Sequence, residues 1–289
     1  MKLGLHLDDY TWNSANGSLP ALLSRIARTA EHGGFSRLSV TDHVWQTSAH
    51  GVESDPMLEA YTTLGFIAAE TNSLELLTLV SAVTYRPPGL LAKMVTTLDV
   101  LSGGRAMLGL GAGWNQEEAT GLGLEFGPNR VRFERLEEAL QVCLQMFSDS
   151  TKSFRGRYYT LASTLNSPMP QAKPRPRILV GGGGERRTLR LAARYADACN
   201  VYGGPDAGQK LAVLREHCRR VDRDYDTIEK TAILALDPNG PDGPDGLLRR
   251  LAALRDLGFD SVMGAVPGID SMTPLETLIT KVLPKVASW

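Results

Sequence analysis

Residues 177–194 read Arg177-Ile178-Leu179-Val180-Gly181-Gly182-Gly183-Gly184-Glu185-Arg186-Arg187-Thr188-Leu189-Arg190-Leu191-Ala192-Ala193-Arg194. A short apolar run enters four glycines and leaves into a stretch whose apolar residues recur at helical spacing, so one strand, one turn and one helix follow each other. The same unit can be traced along the whole chain. Strand candidates fall at residues 3–7, 37–41, 76–83, 105–110, 177–180, 198–201, 230–236 and 261–266, and helix candidates at 19–31, 57–70, 88–101, 132–147, 185–195, 209–221, 246–257 and 274–286. Pro88 suits a helix's first turn, and Gly258 suits the stop after Leu257. Alternation of this kind predicts βαβ units around a parallel sheet. Eight of them fit a closed (β/α)8 TIM barrel better than the alternative, an open doubly wound sheet, because closure removes both edges and about 250 residues is a usual span for such a barrel.

The rhythm breaks at residues 148–176, between the fourth helix and the fifth strand. There Phe154-Arg155-Gly156-Arg157-Tyr158-Tyr159 reads as a small hairpin or extended piece, and Pro168, Pro170, Pro174 and Pro176 forbid a helix after it. The loop at 44–56 is long, which marks either part of an active site or tolerated slack. Residues 237–245 (DPNGPDGPD) form a turn-rich connection. The expected organisation is one domain over 1–289 with an insertion at about 148–176. With 43% apolar and 22% charged residues the composition is that of a globular protein. A net charge of −1 without any basic block lacks the field that nucleic acid or an anionic membrane would need. No signal-type segment and no apolar run near 18 residues is present, so a cytoplasmic protein is expected. Cys143, Cys199 and Cys218 are odd in number and outside any CxxC spacing, which predicts reduced thiols packed as small hydrophobes.

Several strand ends carry residues capable of chemistry. The glycine run, followed by a helix whose first N–H groups are unpaired, reads as a phosphate cradle to which Arg186 and Arg187 would add charge. The competing reading is a flexible turn that binds nothing. Strand two ends in Thr41-Asp42-His43-Val44-Trp45, an acid beside an imidazole and an aromatic wall. Alternatively, Asp42 caps the loop and His43 is a surface histidine. Strand three is almost wholly apolar and reads as barrel core. Strand four ends in Gly109-Leu110-Gly111-Ala112-Gly113-Trp114-Asn115, which is not a dinucleotide fingerprint; its glycines suggest close approach of backbone to a flat ligand, with Trp114 as wall or lid. The five histidines show no metal-binding spacing, and neither a GxSxG elbow nor a P-loop occurs. The chemistry is therefore assigned to an organic cofactor that the protein orients.

Taken together, Val40-Thr41-Asp42-His43, Leu79-Val80-Ser81-Ala82-Val83-Thr84-Tyr85-Arg86-Pro87, the run from Leu91 to Arg105, Gly109-Leu110-Gly111-Ala112-Gly113-Trp114 and the run from Gly181 to Arg190 closely resemble the bacterial luciferase-like monooxygenase superfamily. They look most like its deazaflavin (coenzyme F-420)-dependent branch found in actinobacteria. The resemblance covers most of residues 1–205, and the last third matches only in general pattern. It implies a (β/α)8 barrel with a deazaflavin or flavin at the C-terminal mouth, and a homodimer. By position, Asp42 and His43 would lie near the ring, His43 being the proton donor or acceptor beside it. Leu79-Val80 would form a strand-three bulge behind the ring, where this superfamily often has a non-proline cis peptide. Ala112, Gly113 and Trp114 would border the ring or its ribityl chain, and Gly182, Gly183 and Gly184 would hold the phosphate. The branch's sugar-phosphate dehydrogenases carry an acid where Trp114 stands, so the resemblance does not extend to that substrate. The implied activity is hydride transfer between coenzyme F-420 and an unidentified small organic substrate. An FMN-dependent monooxygenase and a non-catalytic flavin-binding barrel are the alternatives.

Overall fold

The computed structural model of the protein describes residues 1–289 apart from Ala49. Its strands are β1 (Lys2–Leu7), β2 (Arg37–Val40), β3 (Glu75–Thr78), β4 (Ser81–Ala82), β5 (Ala106–Gly111), β6 (Phe154–Arg155), β7 (Thr160–Leu161), β8 (Arg177–Gly181), β9 (Ala198–Tyr202), β10 (Glu229–Ile233) and β11 (Ser261–Gly264). The ring runs β3-β2-β1-β11-β10-β9-β8-β5, every pairing is parallel, and the contact of Leu76 with Ala106 closes β3 onto β5. β3 and β4 are two halves of one strand, so the sheet is a closed eight-stranded barrel. The open-sheet alternative is thereby excluded. Apart from Lys2, the residues of β1, β2 and β5 are buried on both faces of the sheet, as a parallel sheet covered by helices requires.

Around it lie α1 (Leu19–His32), α2 (Ala60–Glu70), α3 (Pro88–Leu101), α4 (Gln116–Gly121), α5 (Asn129–Met146), α6 (Thr188–Tyr195), α7 (Ala207–Arg220), α8 (Gly243–Leu257), α9 (Thr273–Thr277) and α10 (Leu283–Ala287). Several bounds differ from the sequence expectation. The third strand, read from its apolar run as unbroken over 76–83, is interrupted at the cis peptide Leu79-Val80, as the family resemblance implied. Helix α4 was not anticipated; Asn115 caps it by accepting from the Glu118 N–H at 3.2 Å. Helix α6 begins at Thr188 rather than Glu185, because the Leu189 N–H bonds back to Gly184 at 3.1 Å and residues 185–187 form a turn. The last helix is split into α9, a π-helical stretch Leu278–Val282 and α10, where Pro284 offers no N–H to continue the α register. Gly258 ends α8 at φ 100° as its position suggested.

Inside the barrel Leu77, Met107, Leu179, Ala198 and Met263 pack together, with Leu79 and Val80 resting on them. The N-terminal end is closed by ion pairs. Arg37 meets Glu75 and Glu229 at 2.9 Å each, and Arg177 meets Glu229 at 2.6 Å and Glu75 at 3.3 Å. In the insertion, β6 and β7 form the expected hairpin, held to α5 by Glu138, which accepts from the N–H groups of Arg157, Tyr158 and Tyr159 at 2.7–3.0 Å. All three cysteines are free and buried, and no helix among the described residues is long and apolar enough to cross a membrane.

Candidate active site

A cavity of about 1110 Å³ opens where the C-terminal ends of the strands converge, the usual position of a barrel's site. Its floor is Val80. A Cβ on Gly111 or Gly181 would approach the Val80 methyls to 2.8 and 2.7 Å, so both glycines exist to admit that side chain. A Cβ on Gly109 would come within 1.9 Å of the Thr78 carbonyl oxygen. The glycines of β5 therefore make room for the third strand, a packing role the sequence reading did not assign to them. Gly111, Ala112, Gly113 and Trp114 do line the cavity, and Gly113 has φ 77°.

His43 stands on the wall, 14% exposed, between two aromatic rings: Trp114 at 5.3 Å and Tyr85 at 6.4 Å, both edge-on. Its Nδ1 lies 2.5 Å from Oε2 of Glu118, a residue the sequence reading missed. Glu118 is wholly buried and also accepts from the Tyr85 hydroxyl, the Val44 N–H at 2.6 Å and the Trp45 N–H at 3.1 Å. Burial alone would raise its pKa, but the hydrogen bonds from His43, Tyr85 and Val44 outweigh that, and the net shift is downward. Glu118 is thus a carboxylate, so Nδ1 of His43 is the donor and Nε2 is left as the ring's free nitrogen. Burial and the same carboxylate push the Tyr85 phenol up, which keeps it a hydrogen-bond donor.

Asp42 also borders the cavity, yet its carboxylate is fully buried and paired bidentately with Arg86 at 2.6 and 3.0 Å. Arg86 in turn reaches Glu59 at 2.6 Å and stacks over Tyr61 at 5.0 Å. Burial would lower the Arg86 pKa, but Asp42 and Glu59 raise it further and hold the guanidinium charged. The acid beside His43 is therefore a brace for the wall, both of its oxygens engaged by Arg86.

On the far side lies the glycine turn. Gly182 lines the cavity at φ 121°, and its N–H is spent on the Asn200 carbonyl at 2.9 Å. Gly183 and Gly184 sit behind the lining, in the turn before α6. Among the described residues, no acceptor pairs with the N–H groups of Gly183, Gly184 or residues 185–188. Arg132 borders the same end of the cavity with its Nε unpartnered, while Arg187 is turned to Asn129 at 3.0 Å. Arg186 is not among the lining residues. Free amides ahead of a helix and a buried guanidinium fit a phosphate, and the apolar floor fits a flat ring above it.

Residues 10–238 match the family model of luciferase-like monooxygenases. Over 228 residues the chain is 33% identical to an F-420-dependent glucose-6-phosphate dehydrogenase of Kineococcus radiotolerans, an alignment that takes in 77% of this chain and 66% of that protein. Over 154 residues it is 29% identical to a pyrimidine monooxygenase of Allorhizobium ampelinum, 53% of this chain and 41% of that protein. The chain thus spans less than two thirds of the length of both curated relatives. Among solved structures, the coenzyme F-420-dependent tetrahydromethanopterin reductase of Methanopyrus kandleri superposes with a TM-score of 0.80 over 99% of each chain at 18% identity, a likeness of fold.

Proposed function

The chain belongs to the luciferase-like monooxygenase family, and from that premise we propose that it is a coenzyme F-420-dependent oxidoreductase acting on a small organic substrate. The observation that carries this reading is the His43–Glu118 pair on the wall of a large cavity at the C-terminal mouth of the barrel, which Gly182, Thr188 and Arg132 line on the side of the glycine turn. Gly183, Gly184 and the turn before α6 would hold the phosphate with Arg132. Val80 would support the ring, and Ala112, Gly113 and Trp114 would border it. When bound, the deazaflavin supplies a two-electron hydride acceptor or donor. In the oxidative direction, with the bound deazaflavin as the hydride acceptor, His43 Nε2 would take the proton that the substrate gives up. Glu118 then stabilises the imidazolium through Nδ1–H. In the reductive direction the imidazolium returns that proton. Leu79 and Asp42 complete the wall, Asp42 by fixing the loop through Arg86.

The pyrimidine monooxygenase among the relatives favours a second reading, FMN-dependent oxygenation on the same scaffold. Absorbance titrations of the purified protein with coenzyme F-420 and with FMN separate the two. Tighter binding of F-420 is expected, and equal or reversed affinities would overturn the proposal. Steady turnover distinguishes both from a barrel that binds flavin without catalysis. We further propose one cytoplasmic domain over 1–289 that pairs as a homodimer, which sedimentation velocity checks for the assembly.

A further inference from the structure

The barrel ring places β1 four strands from β8 in either direction, so the β1 end of the cavity is diametrically opposite the glycine turn. At that end His6, only 4% exposed, lines the cavity. It stands in register with Ser39 on β2, and its Nδ1 lies 2.9 Å from the Ser39 hydroxyl oxygen. That hydroxyl has a single hydrogen, directed to the Leu5 carbonyl at 3.3 Å, so it accepts from His6 Nδ1–H. The other ring nitrogen, Nε2, has no partner among the described residues. It is therefore a bare acceptor held at the cavity wall. Nothing in the hydride-transfer machinery described above uses it.

The charges at this end run in one direction. Asp8, Asp9 and Asp270 line the cavity there. The Asp8 carboxylate faces His50 at 3.5 Å, Asp9 accepts from Thr11, and Asp270 accepts from Asn13 and Asn16. An anionic group would meet three carboxylates, whereas an uncharged or cationic one would not.

We propose that the β1 end is the substrate subsite and that His6 is its specificity-determining residue, its Nε2 accepting a hydrogen bond from an O–H or N–H of a substrate that carries no negative charge. The inference rests on the oxidoreductase reading only for the word substrate; the acceptor and its selectivity belong to the pocket itself. Burial pushes the His6 pKa down, with Asp8 opposing and His50 assisting, which favours the neutral ring whose Nε2 can accept. A site built around such an acceptor discriminates strongly, because a ligand without a donor leaves it unpaired.

The test is heteronuclear NMR of the imidazole nitrogens in protein loaded with coenzyme F-420, titrated with cyclohexanol, cyclohexanone and cyclohexanecarboxylate as probes. His6 is expected to carry its proton on Nδ1. Cyclohexanol should shift Nε2 saturably, with an affinity at least about tenfold above those of the ketone and the carboxylate. His6→Phe should abolish that preference, and His6→Gln, whose amide oxygen can take the place of Nε2, should retain it. Both variants should keep F-420 affinity within threefold. A proton on Nε2, no saturable shift with cyclohexanol, equal affinities, a preference that survives His6→Phe, or a tenfold loss of F-420 affinity in folded His6→Gln would each overturn the proposal. Cofactor binding is read separately by absorbance, and the probe titrations repeated without cofactor report on His6 even if the F-420 assignment fails. Should His6→Phe fail to fold, the wild-type tautomer and the His6→Gln titration still decide the matter.

Discussion

At the scale of single residues, the His43–Glu118 contact makes the sharpest statement. Replacing Glu118 with Gln offers His43 Nδ1 an amide N–H where a carboxylate stood, which drives the ring to the tautomer with its proton on Nε2. Glu118→Gln is therefore expected to lower kcat by about 10²–10⁴-fold while leaving F-420 affinity within a few-fold. His43→Ala should behave alike, and steady-state kinetics beside a binding titration check both. The turn residues separate in the same way. Gly182 alone of Gly182, Gly183 and Gly184 has a left-handed φ, so Gly182→Ala is expected to weaken F-420 binding by at least about tenfold. At Gly183 an added Cβ meets only the Lys210 side chain at 3.6 Å, and Gly183→Ala should bind within about threefold of wild type in the same titration. His43 was legible in the sequence because an Asp-His pair at a strand end is a local pattern. Glu118 was not, since it lies 75 positions away on a six-residue helix and acquires its role only through the fold. The pairing of the Asp42 carboxylate was hidden for a related reason: its partner Arg86 lies 44 positions on, and burial of both dictates the contact.

Among the elements, the strands were readable because a parallel strand buried on both faces is a short apolar run with punctuation. The break between β3 and β4 was not readable from apolarity, as Leu79 and Val80 fit an unbroken strand equally well. Nor was the start of α6, where the glycines let the chain take one more turn before helical bonding begins. The way β3 crosses β5 makes its own prediction. Gly109→Ala would drive a Cβ into the Thr78 backbone at 1.9 Å, and this variant is expected not to yield folded protein, as circular dichroism would report. The ion pairs at the other end of the barrel are equally specific. Glu229 has a pKa of about 2: burial would raise it, but Arg37 and Arg177 lower it more. Removing it as Glu229→Gln leaves the buried Arg37 short of a partner and should cost about 3–5 kcal/mol in urea unfolding. Because the folded-state pKa lies below the ordinary carboxylate value of 4.5, the contribution is complete above that pH and is lost as pH falls toward about 2. Wild-type stability should decline across that acid window, and Glu229→Gln should decline less steeply.

For the molecule as a whole, the ring of strands and the large cavity at its mouth couple cofactor binding to global stability. At a ligand concentration of 100 times Kd, binding to the folded state alone adds about 2.7 kcal/mol. At roughly 2–4 °C per kcal/mol for a protein of this size, saturating F-420 should raise the midpoint of thermal unfolding by roughly 5–10 °C. Calorimetry with and without cofactor checks this, and FMN at the same concentration should shift it less. The buried cysteines supply an independent clock for the same opening. Burial pushes the Cys143 and Cys199 thiols up to about 12 and raises Cys218 as well. At neutral pH a thiol with such a pKa is ionised in roughly one molecule in 10⁵, and alkylating reagents attack only the ionised form. The folded chain should therefore remain unmodified by iodoacetamide, each molecule acquiring its labels together when the barrel opens. Timed alkylation followed by mass spectrometry would then count unfolding events directly, in the native buffer and without a denaturant.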